Sequence, residues 1–464
     1  MKAMGLDWVL ETIHDAVLEK GSSQVEITGV SIDSRKVRPG DLFFAFSGEH
    51  VDGHDYIEDA FQRGAAAAVI SHPVDCQQDK PLIRVSDPLQ ALQALARGYR
   101  SLFNIPVVAV TGSTGKTTTK DLIAGVLGSK MAVIKTEGNY NNELGLPLTL
   151  LNLDDQHQAA VLEMAMRGPG QIAELCEISH PLVGVITNIG KTHLELLGSQ
   201  EAIAEAKGEL LSSLPIDGCA VLNADDPWQV KLASRVRGEL IYYGTDSMCQ
   251  IRATDIRLRG LEGVDFKLHT PSGEADCFLP LPGAHNVANA LAAAAVGYRF
   301  SLNPEEIAAG LASASLTGMR LDVKAGIRDT KIIDDSYNAS PASTTAALEL
   351  LAAVDGNRKI AVLGDMYELG EETISGHREV GEKAALLSID CLCTVGELAR
   401  EIAVGAELAG LHDERIHIFQ EKAEAVAFLK SYLQKGDLVL IKGSRGMRME
   451  EITAALARGV NTGE

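Results

Sequence analysis

Short apolar runs separated by polar, glycine-rich turns recur along the chain, with stretches of helical periodicity between them. Apolar runs of about four to eight residues bounded by turn signals predict buried strands, and a period near 3.6 predicts helices. In the first part, 41–46 and 66–70 read as strands, with a helix at 56–63 between them. Asp87-Pro88 then opens a further helix. Aspartate can cap the first amides, and proline suits the first helical position, where its missing N–H costs nothing. Leu89, Leu92, Leu95 and Ala96 give this helix one apolar face.

Beyond it, short apolar strands at 107–110, 160–165, 182–187 and 220–222 alternate with helical patterns. That alternation predicts a largely parallel sheet covered on both faces. The stretch 240–280 is less regular, with pieces such as VDFKLHT, and reads as an antiparallel addition. After Thr317-Gly318-Met319-Arg320 the rhythm restarts, with strands at 331–333, 360–363, 391–395 and 438–441. The fold class is therefore α/β in three domains, divided as 1–86, 87–318 and 319–464. A length of 464 residues agrees with one domain per ~150 residues.

Charge narrows the partners. With 42 Lys and Arg against 63 Asp and Glu, the formal net charge is −21. A field of that sign speaks against nucleic acid or an anionic membrane surface. An anionic small molecule would need local devices: helix N-termini, a few Lys or Arg, or metal ions. The opening MKAMGLDWVLETIHDAV lacks the apolar core of a signal peptide. No apolar run approaches the ~18 residues of a membrane span. Cys76, Cys176, Cys219, Cys249, Cys277, Cys391 and Cys393 are scattered without C-x-x-C spacing. They read as buried thiols, Cys391 and Cys393 within a buried strand, and fit a reducing cytoplasm.

The segment PVVAVTGSTGKTTTKDLIAGVLG carries the most chemistry. An apolar strand ends at Val110 and a helix begins near Lys116. Gly112 and Gly115 permit a tight turn whose amides point at phosphate oxygens, and the helix N-terminus adds partial positive charge. Lys116 can reach the β/γ-phosphates, and Thr117 offers a hydroxyl to Mg²⁺. Only Ser113 and Thr114 separate the glycines, fewer than in the general phosphate-loop pattern, and Thr118 continues the helix start. Ligands gather at the carboxyl ends of parallel strands. Glu163 stands at such an end, where a buried carboxylate calls for a cation. His193 follows another, although Mg²⁺ prefers oxygen, so by itself it reads as a satisfied or surface histidine. By residue physics alone Lys207, flanked by Glu205 and Glu209, reads as a solvated helix lysine.

Together TGSTGKTT, Glu163, His193, Lys207, GAHNVAN (283–289), Arg320 and DDSYN (334–338) resemble the Mur ligases. The resemblance implies an N-terminal UDP-MurNAc-peptide domain (1–86), a central ATPase (87–318) and a C-terminal Rossmann-like domain (319–464). It implies ATP and two Mg²⁺ ions, with Thr117 and Glu163 at one ion and His193 at the other. Lys207 would assist as a carbamate, whose two oxygens and negative charge suit Mg²⁺. Asn289 and Arg320 are implied near ATP, Arg320 at the γ-phosphate, and Asp335 at the ribose. Ser31, Asp33, Ser34 and Arg35 resemble residues that hold a uridine nucleotide. Gly48, His50 and the 52–54 turn at Asp52 fall where the peptide should lie, and Asn139 and Asn142 are also implied on the substrate side.

The runs NYNNELGLPLTLL, EMAMRGPGQI, DDSYNASP, GDMYELG and KGSRGMRME are similar to one branch of that family. That branch joins D-alanyl-D-alanine to UDP-MurNAc-tripeptide through an acyl phosphate, giving UDP-MurNAc-pentapeptide for peptidoglycan. The expected partners are these two substrates, with no nucleic acid and no membrane insertion, and the expected state is a monomer. A diamino-acid-adding ligase is an alternative, but the chain lacks the D-N-P-R signature. A folylpolyglutamate synthase-like enzyme is another, against which the N-terminal UDP-type domain counts. A non-catalytic P-loop switch is a third, and N-K-x-D is absent too.

Overall fold

Buried at every position, Asp41–Phe44 and Ala67–Ile70 form the middle of a five-stranded N-terminal sheet. The computed structural model describes residues 1–48, 50–190, 192 and 194–458. In this sheet the order is Val17–Lys20, Leu82–Arg84, Ala67–Ile70, Asp41–Phe44, Gly29–Ser31, parallel except for Val17–Lys20 at one edge. That edge strand is short and nowhere fully buried, so it leaves little apolar signal in the sequence.

Asp87 caps helix Pro88–Arg100, its carboxylate accepting the amides of Leu89 at 2.8 Å and Gln90 at 3.3 Å. Leu92, Leu95 and Tyr99 of this helix share one core with Leu42 and Val69 of the first sheet and with Leu146 and Leu175 farther on. Apolar burial therefore joins the first two regions across the helix.

The central sheet has nine strands, ordered Gly273–Leu279, Val264–Thr270, Ile251–Leu258, Glu239–Gly244, Cys219–Asn223, Val183–Ile186, Val107–Thr111, Ala159–Glu163, Val133–Lys135. Its first two ladders are antiparallel, so the addition expected for 240–280 covers only 251–279, because Glu239–Gly244 pairs parallel with both of its neighbours, as do the remaining strands. The strand expected at 160–165 ends at Glu163, which leaves that carboxylate at the carboxyl end of the sheet. Helices Lys116–Gly128 and His285–Arg299 cover one face.

The last sheet runs Asp322–Ala325, Lys331–Asp335, Leu438–Lys442, Lys359–Gly364, Cys391–Val395, Ile416–Phe419, parallel after the first pair. Separate apolar clusters fill its two faces. All seven cysteines are free and buried, as their scatter suggested. No helix among the described residues is long and apolar enough to cross a membrane.

Candidate active site

Strand Val107–Thr111 runs straight into the phosphate loop. At Gly112 (φ +148°) a Cβ would sit 1.8 Å from Thr187 Oγ1, and at Gly115 (φ +77°) it would meet Asn289 Oδ1 at 2.6 Å. Only glycine fits either place. Asn188, just past strand Val183–Ile186, braces the loop. Its Oδ1 accepts the Thr114 amide at 3.0 Å, its Nδ2 donates to Thr114 Oγ1 at 2.8 Å, and its carbonyl accepts the Ser113 amide at 3.0 Å. The loop is thus held in shape by the neighbouring strand end.

Two lysines meet at the Gly112 carbonyl. Lys116 Nζ donates to it at 2.8 Å and Lys207 Nζ at 3.0 Å. Lys207 is 1 % exposed, which corrects the solvated reading: helix Gln200–Ser213 turns this residue inward, beneath the loop. Burial, reinforced by Lys116, pushes its ammonium well below the ordinary lysine value. Burial also lowers Lys116, with Glu163 opposing and Arg320 reinforcing the shift.

Beside the loop lies a chain of polar contacts. Arg320 Nη2 donates to Thr117 Oγ1 at 2.8 Å, and Thr117 Oγ1 donates to Glu163 Oε2 at 2.7 Å. Asn141 Nδ2 donates to the other carboxylate oxygen at 2.8 Å. Glu163 is 2 % exposed, and the Arg320 guanidinium lies 4.1 Å from the centre of the Tyr337 ring. Across the cleft Lys442, also buried, pairs with Asp335 at 2.5 Å and donates to the Asn338 carbonyl at 2.9 Å.

A cavity of about 470 Å³ joins these groups, lined by 113–118, Glu163, Asn289, Arg320 and Asp335. Asn289 lines it while bonded to Thr119 Oγ1 at 3.1 Å and Asn286 Oδ1 at 2.9 Å. Thr192 Oγ1 and Arg320 Nε are buried without a partner among the described residues. His193 lies outside the described residues.

The N-terminal candidates gather elsewhere. Ser31 ends strand Gly29–Ser31 and Asp33, Ser34 and Arg35 follow it, while Gly48, His50 and Asp52 follow Asp41–Phe44, so both groups sit at carboxyl ends of adjacent parallel strands. Arg35 grips Asp33 through two nitrogens, each at 2.9 Å. Asp52 accepts the His54 ring at 2.6 Å and His72 at 3.2 Å, and these contacts, after the His54 amide, hold its carboxyl far below the usual range. Asn142 accepts the Gly145 amide at 3.0 Å, starting helix Gly145–Leu151, and Asn139 is exposed. None of these residues lines the cavity.

Asn188 has no signal in the sequence, and Asn141, Tyr337 and Lys442 lie within the motifs quoted above without a role of their own there. Asn141 sits between two asparagines that were singled out. The cue for it is chemical: a buried carboxylate at a strand end needs a donor beside it.

Family models match in three pieces: the Mur ligase family catalytic domain at 26–100, the Mur ligase middle domain at 110–297, and the Mur ligase glutamate ligase domain at 319–445. The UDP-N-acetylmuramoyl-tripeptide--D-alanyl-D-alanine ligase of Bacillus subtilis is 40% identical over 97% of this chain and 97% of its own. This chain belongs to the Mur ligase family. Among solved Mur ligases, a crystal structure of MurF from Acinetobacter baumannii superposes with a TM-score of 0.88 at 30% identity, covering 98% of both chains. MurF ligase from Thermotoga maritima, in complex with ADP, gives 0.80 at 31% identity over 92% of this chain and 96% of its own.

Proposed function

We propose that this Mur ligase joins D-alanyl-D-alanine to UDP-N-acetylmuramoyl-tripeptide at the expense of ATP, giving UDP-MurNAc-pentapeptide for peptidoglycan. The observation that carries this reading is the convergence of a phosphate loop, a buried carboxylate and an arginine from the next domain on one cavity. Similarity to ligases of that name along nearly the whole chain supports the choice of substrates. A diamino-acid-adding or folylpolyglutamate-type reaction is not favoured, since relatives matched over 94% of the chain carry the D-alanyl-D-alanine name.

In this reading 1–86 receives the UDP-MurNAc-peptide, 87–318 binds ATP, and 319–464 completes the site. Ser31, Asp33, Ser34 and Arg35 hold the uridine nucleotide. Gly48, His50, Asp52, Asn139 and Asn142 serve the peptide side. The amides of 112–118 and Lys116 take the phosphates, Asn289 lies near the nucleotide, Asp335 takes the ribose and Arg320 the γ-phosphate. The chain works as a monomer in the cytoplasm, with no membrane insertion.

The residues present suit Mg²⁺. A buried carboxylate hydrogen-bonded to a threonine hydroxyl and an asparagine amide is a hard oxygen site. Thr117 and Glu163 would hold one ion, and His193 with Lys207 a second. Lys207 also suits carbamylation, because burial favours the neutral amine, the form that reacts with CO₂. Bound Mg²⁺ supplies charge neutralisation at the phosphates.

The tripeptide carboxylate attacks the γ-phosphorus of ATP, giving an acyl phosphate and ADP. The amine of D-alanyl-D-alanine then attacks the acyl carbon. The tetrahedral intermediate expels phosphate, and the departing phosphate takes the proton that the amine gives up. Lys116 and Arg320 offset charge on the transferring phosphoryl group. Closure of the last domain over the cleft keeps water from the acyl phosphate.

Purified protein given ATP, Mg²⁺, UDP-MurNAc-tripeptide and D-alanyl-D-alanine should release phosphate in step with UDP-MurNAc-pentapeptide, read by mass spectrometry. Product only from UDP-MurNAc-dipeptide and a diamino acid would keep the family and overturn the substrate. Nucleotide binding without any ligated product would favour the P-loop switch.

A further inference from the structure

The segment that carries the chain from the central sheet to the last domain is tied to the phosphate-loop helix. Helix Lys116–Gly128 places Asp121 and Gly125 four residues apart, on one face. At Gly125 a Cβ would sit 2.6 Å from Ala314 Cβ, and at Gly310, in helix Pro304–Ala312, it would sit 2.5 Å from Val126 Cα. The two backbones therefore touch. One turn nearer the phosphate loop, Asp121 is 1 % exposed and accepts the Thr317 amide on Oδ2 at 2.8 Å. Its Oδ1 takes Lys135 at 2.6 Å and Lys120 at 3.1 Å, while Lys135 also donates to the Ser315 carbonyl at 2.9 Å. Burial works to raise the Asp121 carboxyl, but Lys120, Lys135 and the Thr317 amide outweigh it and hold it below the ordinary value.

From this anchor the chain reaches Arg320 within three residues. Met319 (φ +62°) and Leu321 (φ +51°) flank it in left-handed conformations that side-chain-bearing residues keep only when their surroundings hold them. The Met319 carbonyl accepts the Tyr337 amide at 3.2 Å. Lys120 extends the anchor toward the carboxylate site. Its Nζ donates to the Thr136 carbonyl at 2.8 Å, and Thr136 Oγ1 accepts the Glu163 amide at 3.0 Å.

We propose that Asp121 is a positioning residue: it fixes the start of the interdomain segment to the phosphate-loop helix, so that the last domain delivers Arg320 to Thr117. Asp121 touches no reacting atom and acts through Arg320. Its catalytic consequence rests on the ligase reading, whereas the tie itself does not.

Two variants and two readouts test this. Asp121→Asn removes the charge between two lysines. Lys135→Gln, at a side chain 30% exposed, is milder and loosens the tie to Ser315. Limited trypsin digestion of the full chain should cut after Arg320 about tenfold faster in Asp121→Asn and about threefold faster in Lys135→Gln. Cutting after the exposed Arg35 should not change. In ligation assays kcat should fall about tenfold or more in Asp121→Asn, with KM for ATP within about threefold. Cutting at Arg320 and kcat both within about twofold of wild type, in either folded variant, would overturn the proposal. Equal acceleration at Arg35 and Arg320 in Lys135→Gln would overturn it too, since that marks general loosening. A wild-type chain that makes no pentapeptide sinks the ligase reading, while the trypsin pattern still judges Asp121.

Discussion

In the cleft around Thr117 the polar side chains face a shared space, and two of their atoms lack partners among the described residues. At the rim of the N-terminal sheet the polar side chains satisfy one another: Arg35 is closed on Asp33, and His54 and His72 on Asp52. The cleft is built in advance for charge that arrives with a ligand, and its cost falls on the fold. In the proposed function the rim would exchange internal contacts for substrate contacts. Damage to the cleft should therefore appear in the chemical step, and damage to the rim in substrate affinity.

The sharpest test of that division is Lys116→Ala. It removes the loop's flexible cation, and phosphate release at saturating substrate should fall about a thousandfold. Activity near wild type would remove the cleft from the reaction. Next comes Lys207→Ala, where a loss of about a hundredfold or more is expected, partly restored by short-chain carboxylates if they stand in for the proposed carbamate. Full activity without rescue would return Lys207 to a structural role. At the rim, Asp52→Asn should raise KM for the UDP-substrate about tenfold and leave kcat and the KM for ATP nearly unchanged. A fall in kcat instead would break the comparison. The smallest effect belongs to Asp87→Ala, which uncaps helix Pro88–Arg100 and should cost about 1 kcal/mol in denaturant unfolding without altering kinetics.

The two regions also differ in how far they can be read from sequence. The phosphate loop is contiguous, so strand, glycines, lysine and helix start stand together in one short segment, and the structure keeps that order. Apolar runs likewise announced the central parallel strands, which are buried on both faces, but not Val133–Lys135 or Ile416–Phe419, edge strands with no buried residue to leave such a run. Lys207 shows where such reading stops. Its neighbours Glu205 and Glu209 mark a polar helix, yet Glu205 pairs with Arg235 while Lys207 turns under the loop. Helical spacing says which residues share a face, not which face meets a loop some ninety residues away. Asn141 and Asn188 escaped for a related reason. Their partners, Glu163 and Thr114, are set by strand order, and strand order is a property of the folded sheet. Asp121 likewise reads as an ordinary helix aspartate until Thr317 is brought against it.

In the proposed mechanism the last domain completes the ATP cleft through Arg320. Arg320→Ala should be assayed for ATP binding by titration and, on the same preparation, for pentapeptide formation. ATP affinity should stay within about threefold of wild type, and ligation should slow about a hundredfold. Ligation at the wild-type rate would contradict that mechanism.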